Sequence, residues 1–115
     1  MHELGVVFYI IRDVKEAAVK NNASKVYSVT LEVGEVSGIV NDYLEDCWNW
    51  AVKKEGPILE DARLLFEKLP AVTYCTACQK TYETLKYGKT CPHCGSPETY
   101  LKQGSDCSIK QIEAS

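Results

Sequence analysis

The chain has 115 residues, 45% of them hydrophobic, and a formal net charge of −3, which suits one ordinary domain or one small domain carrying a metal-stabilised segment. Its acidic excess lies in residues 1–72, which carry 12 acidic and 8 basic side chains, whereas residues 73–115 carry 4 and 5. Such a balance disfavours sequence-independent nucleic-acid binding, because that binding depends on neutralising phosphates with Lys and Arg.

Targeting signals are not evident at the start of the chain. The longest apolar run, residues 4–11, is much shorter than the about 20 residues of a membrane span. The first residues lack the basic segment of a secretory signal peptide. We therefore expect a cytoplasmic protein with no membrane partner, in a reducing compartment where paired cysteines hold metal more often than they form disulfides.

The first two predicted elements are a helix and a strand. Apolar residues at the i, i+3, i+4 spacing of one helix face predict a helix that ends near Asn21 and Asn22. They are Leu4, Val7, Phe8, Ile11, Val14 and Ala18. Residues 25–36 then alternate between apolar and polar side chains, which is typical of a half-buried strand. Its predicted inward residues are Tyr27, Val29, Leu31 and Val33, and its Glu32 and Glu35 are expected to be solvated.

Another helix and two more strands follow. Asn41 is a plausible N-cap for the second helix, which is expected to end at Gly56 and Pro57. The face predicted to be apolar contains Val40, Leu44, Cys47, Trp48 and Ala51. Residues 62–69 predict a second strand that ends at Pro70. Residues 107–113 predict a weaker third strand, because Ile109 and Ile112 do not share a period-two face.

Two Cys-x-x-Cys pairs, Cys75 with Cys78 and Cys91 with Cys94, are separated by 12 residues. Each pair presents two thiolates on one tight turn, so two facing turns form a tetrahedral cage of four sulfur atoms. That cage suits Zn²⁺, whose Zn–S distances are about 2.3 Å. An iron site or a disulfide pair is the alternative reading of the same spacing.

His93, the remaining two cysteines and the tyrosines around the cysteine pairs are expected to have structural roles. His93 would have to displace a thiolate in order to bind zinc, so we expect it to be an exposed residue of the second turn. Cys47 and Cys107 stand apart and are expected to be small buried apolar residues. Four tyrosines are expected to supply a small core around the metal: Tyr74, Tyr82, Tyr87 and Tyr100.

Together, these elements predict an α+β fold in which two helices cover a three-stranded sheet that carries an inserted zinc-ribbon domain. Residues 1–72, completed by residues 104–115, form the predicted α/β domain. Residues 73–103 form the predicted zinc-binding domain, which has few aliphatic residues and therefore depends on its metal for folding. The last strand is expected to return to the sheet of the first two.

The first three residues offer a second candidate metal site. The initiator Met1 is retained before a residue as large as His2, so we expect a free α-amine on Met1. The amine and the His2 amide close a five-membered ring on a metal, and the same amide and the imidazole Nδ1 close a six-membered ring. The amide or carboxylate of Glu3 could complete four ligands, and square-planar nitrogen donors favour Ni²⁺ or Cu²⁺. A histidine at position 2 is, taken alone, more often an ordinary surface residue.

Five segments, taken in order, resemble the HypA/HybF family of nickel-insertion accessory proteins for [NiFe] hydrogenase maturation. They are Met1-His2-Glu3-Leu4 at the start of a helix, Val29-Thr-Leu-Glu-Val-Gly-Glu35, Cys75-x-x-Cys78, Cys91-Pro-x-Cys94-Gly-Ser96 and the terminal Ile-Lys-Gln-Ile-Glu113. The resemblance covers nearly the whole chain. The ordered combination is much more specific than any one segment.

The resemblance implies a nickel metallochaperone and not an enzyme. It implies a nickel-binding α/β domain with nickel held by His2, the Met1 amine and the backbone amides of His2 and Glu3. Zinc would be structural at the four cysteines of the two pairs. The implied partners are a HypB-type GTPase and the hydrogenase large subunit, with urease accessory proteins added for some relatives. Residues 103–107 differ from the usual family pattern.

Two other functions compete with nickel delivery. The segment from Cys91 to Gly95 also resembles a rubredoxin knuckle, so an electron carrier with iron in the cage is one alternative. A zinc-ribbon module that binds nucleic acid or a protein through its Tyr and Lys residues is the other. No catalytic triad, phosphate-binding glycine loop or H-E-x-x-H motif is present. Nickel delivery alone accounts for both ends of the chain.

Overall fold

The computed structural model describes residues 3–115, which form an α+β fold as predicted. The elements in chain order are α1 (Glu3–Lys20), β1 (Val26–Gly34), α2 (Asn41–Val52), β2 (Arg63–Leu69), β3 (Val72–Cys75), β4 (Thr81–Glu83), α3 (Thr84–Tyr87), β5 (Thr99–Gln103) and β6 (Cys107–Ala114). The described residues divide into two compact units. One contains residues 3–32, 39–67 and 108–115, and the other contains residues 33–38 and 68–107. The predicted division into a nickel domain and a zinc domain stays a prediction.

Helix α1 presents one apolar stripe to the core. Its buried residues are Val7, Ile10, Ile11, Val14 and Ala18. Phe8, predicted to be buried, is half exposed, because the stripe is centred on Val7, Ile11 and Val14 and leaves Phe8 at its margin. The helix ends where predicted: Asn22 adopts the left-handed conformation (φ 55°), which is common just beyond helix C-termini.

Helix α2 begins one residue away from the predicted cap. Val40 occupies the N-cap position without a side-chain hydrogen bond of its own, so the Asn41 prediction was wrong. The helix also ends at Val52, short of Gly56. Trp48 is fully buried and donates from Nε1 to the Ala62 carbonyl at 2.9 Å, which satisfies its one polar atom. Helices α1 and α2 pack against each other.

The first sheet has the strand order β2-β1-β6, so the last strand returns to the first two as predicted. Backbone hydrogen bonds from Gly34 to Asp106 (2.8 Å) and from Lys25 to Ser115 (3.1 Å) show that β1 and β6 run antiparallel. The predicted alternation in β1 is confirmed for its three central apolar residues, which are Val29, Leu31 and Val33. Tyr27 was predicted to be inward, but it is half exposed and its hydroxyl contacts the Ser115 hydroxyl at 2.8 Å.

A second sheet, with the order β4-β3-β5, was not predicted from the sequence. All its strand pairs are antiparallel, and Tyr74 lies opposite Tyr100 with ring centroids 5.3 Å apart. Tyr82 is buried beside the cysteines, and its hydroxyl donates to the Gly88 carbonyl at 2.8 Å. The expectation that four tyrosines supply the small core around the cysteines is confirmed for Tyr82 and wrong for Tyr87 and Tyr100, which are about half exposed.

Residues 33–38 pack within the second unit. Gly34 approaches Gly104 so closely that a β-carbon at position 34 would lie 2.2 Å from the Gly104 carbonyl oxygen. The Glu35 carboxylate accepts a hydrogen bond from the Ala71 backbone at 3.2 Å and pairs with Lys68 Nζ at 3.3 Å. Its side chain is only 18% exposed, so the expectation of a solvated Glu35 was wrong.

Among residues 3–115, none of the helices has both the length and the apolar character needed to cross a membrane.

Candidate metal centre

The four paired cysteines come together in the second unit. Their Sγ atoms all lie within 4.8 Å of one another. Two of the separations are 3.6 Å, between Cys75 and Cys94, and 3.7 Å, between Cys78 and Cys91. Four sulfurs at about 2.3 Å from one tetrahedral ion would be about 3.8 Å apart. The donor set and its spacing therefore fit zinc.

The two cysteine turns have the same backbone construction. In the first, the Gln79 amide donates to the Cys75 carbonyl at 2.9 Å, and in the second the Gly95 amide donates to the Cys91 carbonyl at 2.8 Å. Both donor residues adopt left-handed conformations, with φ 62° for Gln79 and 73° for Gly95. Each turn therefore folds its two thiols towards the same side, and glycine meets this backbone requirement more easily than glutamine.

Backbone amides around the second turn favour ionised sulfur. The His93 amide donates to Cys91 Sγ at 3.4 Å. Burial opposes ionisation of Cys91, but the Cys94 and His93 amides and two neighbouring thiols lower its pKa to about 7. The Ser96 amide favours the Cys94 thiolate, yet burial and the other three thiols raise the pKa of Cys94 to about 12. Four thiolates so close together therefore need a cation to neutralise them.

The other sequence candidates near the cysteines lie outside the cluster. His93 is exposed, as expected of a residue on the surface of the turn. Within residues 3–115, the four paired cysteines are the one group in which at least three His, Cys, Asp or Glu side chains converge. Cys47 and Cys107 are only partly buried, so the expectation that they are core residues is only partly met. Burial raises the pKa of the Cys107 thiol.

The predicted N-terminal nickel site falls mainly outside the described residues, which exclude Met1 and His2. Glu3 is described and lies in the first turn of α1. Its Oε2 accepts a hydrogen bond from the Val40 backbone amide at 3.1 Å, at the start of α2. The two residues are 37 positions apart, and no local sequence pattern reports such a contact.

Comparison with known proteins gives the family of the chain. Residues 1–114 match the family described as "Hydrogenase/urease nickel incorporation, metallochaperone, hypA". The chain is 31% identical over 113 residues to "Hydrogenase maturation factor HypA" of Geobacter metallireducens, covering 98% of both chains. It is 33% identical to the factor of the same name from Aeromonas salmonicida, over the full length of both.

A solved structure extends the similarity to the fold. The "Solution structure of the Ni metallochaperone HypA from Helicobacter pylori" matches with a TM-score of 0.78 and 26% identity. The match covers 99% of this chain and 97% of that one. The resemblance inferred from the sequence is therefore confirmed: the chain belongs to the HypA family of metallochaperones for nickel incorporation into hydrogenase and urease, a family of carriers and not of catalysts.

Proposed function

We propose that this chain carries Ni²⁺ at its N-terminus and delivers it to the large subunit of [NiFe] hydrogenase, acting together with a HypB-type GTPase. The observation that carries the proposal is the makeup of the cysteine cluster. It gathers four thiolates at zinc spacing, and it is the one group of converging metal-ligating side chains within residues 3–115. A nickel carrier therefore needs a separate site. Of the two histidines in the chain, His93 is exposed beside the cluster, which leaves His2.

The proposed nickel ligands are the Met1 amine, the amide and imidazole of His2 and the amide of Glu3. Helix α1 begins at Glu3, and a helix does not use the N–H groups of its first turn for its own hydrogen bonds. Metal binding by an amide at this position therefore breaks no bond of the helical ladder. The positive end of the helix dipole also favours a deprotonated, anionic amide.

The same ligands make nickel release controllable. Deprotonated amide donors bind nickel only when they lose protons, so nickel affinity falls as pH falls. We propose that docking of the GTPase partner changes the N-terminus of this chain and lowers its nickel affinity. A partner can shift nickel binding only if its own affinity differs between the nickel-loaded and the nickel-free chain. Titration of the chain with nickel, alone and in complex with the GTPase, measures this effect. Equal dissociation constants would contradict it.

Zinc has a structural role in this proposal. Cys75, Cys78, Cys91 and Cys94 would hold the ion and leave no open coordination position, as is typical of structural zinc sites. The buried apolar group at this site is small and consists of Tyr82 and two of the ligands, Cys75 and Cys91. So small a core gives the metal a large share in holding the two cysteine turns together.

The experiment that tests the proposal is elemental analysis after nickel equilibration, using protein with an untagged N-terminus. Three proteins are compared: the natural chain, His2→Ala and His93→Ala. We expect one zinc in all three, one nickel in the natural chain and in His93→Ala, and no nickel in His2→Ala. Nickel retained by His2→Ala would move the site elsewhere and refute the terminal chelate.

The two competing functions make opposite predictions for the same samples. A rubredoxin-like electron carrier would contain iron and be red. A zinc-ribbon module for nucleic acid would bind it in a salt-sensitive manner and be indifferent to His2→Ala. The family match favours neither, because the matched family is described by nickel incorporation.

A further inference from the structure

A hydrogen bond joins the first turn of α1 to the start of α2. Glu3 Oε2 accepts a hydrogen bond from the Val40 amide at 3.1 Å. Val40 is the N-cap residue of α2, and its own side chain makes no capping bond. The Glu3 carboxylate therefore sits at the positive end of the α2 dipole, where an anion is favoured.

Apolar and electrostatic contacts place the same two helix ends side by side. Leu4, the next residue of α1, lines a cavity of about 290 Å³ together with Tyr43, Cys47 and Trp50 of α2. The Glu3 charge also contributes to the raised pKa of Tyr43, after larger effects from Cys47 and burial. The hydrogen bond and the charge effect thus place the Glu3 side chain against α2, and the neighbouring Leu4 also faces that helix.

We infer that the Glu3 carboxylate is a positioning group for nickel, which fixes the first turn of α1 against α2 and so holds the Glu3 amide ready for the metal. The inference rests on the proposed N-terminal nickel site. It assigns the two functional groups of Glu3 different roles: the backbone amide binds nickel and the carboxylate binds Val40.

The physical reason is preorganisation. The first turn of a helix has few hydrogen bonds of its own and frays easily. A chelate that uses backbone amides needs consecutive residues in one conformation. If only a fraction of molecules hold that conformation, the apparent nickel affinity falls by the same fraction. Anchoring Glu3 to a second helix raises that fraction before nickel arrives.

The length of the side chain makes the inference specific. Glutamine has the reach of glutamate, and its carbonyl oxygen can accept the same hydrogen bond. Aspartate is shorter by one carbon–carbon bond of about 1.5 Å, and a 3.1 Å contact lengthened by that amount is no longer a hydrogen bond. Replacement of Glu3 by glutamine therefore removes the charge but keeps the side-chain length and the hydrogen-bond acceptor, whereas aspartate keeps the charge but shortens the side chain.

The test measures nickel affinity by competition with a chromophoric chelator, together with the ligand-field spectrum of bound nickel, for Glu3→Gln, Glu3→Asp and Glu3→Ala. We expect Glu3→Gln to bind within about twofold of the natural chain. Glu3→Asp and Glu3→Ala should bind about three- to tenfold more weakly, the effect of one net hydrogen bond. All spectra should be alike, because the ligand set is unchanged.

Changes on the Val40 side provide a matched pair. Val40→Pro removes the N–H donor and should weaken nickel binding as Glu3→Ala does, whereas Val40→Ala keeps the donor and should not. The Glu3→Ala and Val40→Pro effects should not add in the double variant, because each removes the same bond. Circular dichroism of each variant checks that both helices remain folded.

Two results would overturn the inference. If Glu3→Gln binds as weakly as Glu3→Ala and its spectrum changes, the carboxylate is a nickel ligand. If Glu3→Ala binds as tightly as the natural chain, the hydrogen bond has no role in nickel binding. His2→Ala is measured in parallel, and nickel retained there would instead show that the proposed N-terminal site itself is wrong.

Discussion

Substitution of Gly34 by alanine should strongly destabilise the unit that contains the cysteine cluster. A β-carbon at position 34 would lie 2.2 Å from the carbonyl oxygen of Gly104, 2.4 Å from its carbonyl carbon and 2.8 Å from the Asp106 carbonyl oxygen. All three are backbone atoms, so no flexible side chain can move aside. Relief requires one backbone segment to shift by about 1.3 Å to reach ordinary contact distances of about 3.5 Å.

The energetic cost has two parts. Overpacking of this kind typically costs about 1–3 kcal/mol. The shift would also strain the hydrogen bonds from Gly34 to Asp106, at 2.8 Å, and from Val36 to Gly104, at 2.9 Å, each with a net contribution of about 1 kcal/mol. We expect a total near 3 kcal/mol, which lowers the melting temperature of a chain of this size by about 10–15 °C.

Thermal and urea unfolding of the zinc-loaded protein, followed by circular dichroism, measure this effect. Gly5→Ala is the matched control, because Gly5 lies in α1 and a β-carbon there would meet nothing within 4 Å. That control should be neutral or more stable by up to about 1 kcal/mol, since alanine favours helix more than glycine does. A Gly34→Ala protein within about 0.5 kcal/mol of the natural chain would refute the close approach to Gly104.

Three further predictions concern the metal, the core and a thiol. Zinc affinity, measured by chelator competition, should rise at least about a hundredfold per pH unit between pH 6 and 8, because Cys78 and Cys94 have raised pKa values and each must lose a proton to bind the ion. An affinity independent of pH would argue against thiolate ligands. Trp48→Phe should lower the free energy of unfolding by about 2–4 kcal/mol, because it opens a cavity and removes the hydrogen-bond donor to the Ala62 carbonyl. Trp50→Phe is the control: Trp50 is half exposed, so its replacement should change the free energy of unfolding by less than about 1 kcal/mol. Burial raises the pKa of the Cys107 thiol. Iodoacetamide at pH 7.5 should therefore label Cys107 more slowly in the folded protein than in urea, and mass spectrometry measures the two rates. Equal labelling rates would contradict the burial of Cys107.

The sequence predicted those features that a single local pattern determines. Strict alternation identified Val29, Leu31 and Val33 as core residues, because a strand has a period of two. The spacing of the cysteine pairs predicted their convergence, since two tight turns with one intervening loop can face each other. The order of elements also predicted the return of β6 to the first sheet.

Features that depend on tertiary surroundings could not be predicted in this way. Tyr27 continues the alternation of β1, but it lies near the strand end, where it is half exposed and its hydroxyl meets that of Ser115. Strand β4 has three residues and β5 is almost wholly exposed, so neither carries a hydrophobic period. The contact between Glu3 and Val40 joins two helix ends and has no sequence signature.

We propose that nickel leaves the N-terminus of this chain for the hydrogenase large subunit. The decisive experiment is transfer of radioactive nickel from the preloaded chain to the nickel-free large subunit, with the GTPase partner, GTP and a competing chelator present. We predict transfer from the natural chain and from His93→Ala, and none from His2→Ala protein incubated with the same nickel. Equal transfer by His2→Ala, or capture of all the nickel by the chelator before it reaches the large subunit, would contradict the claim.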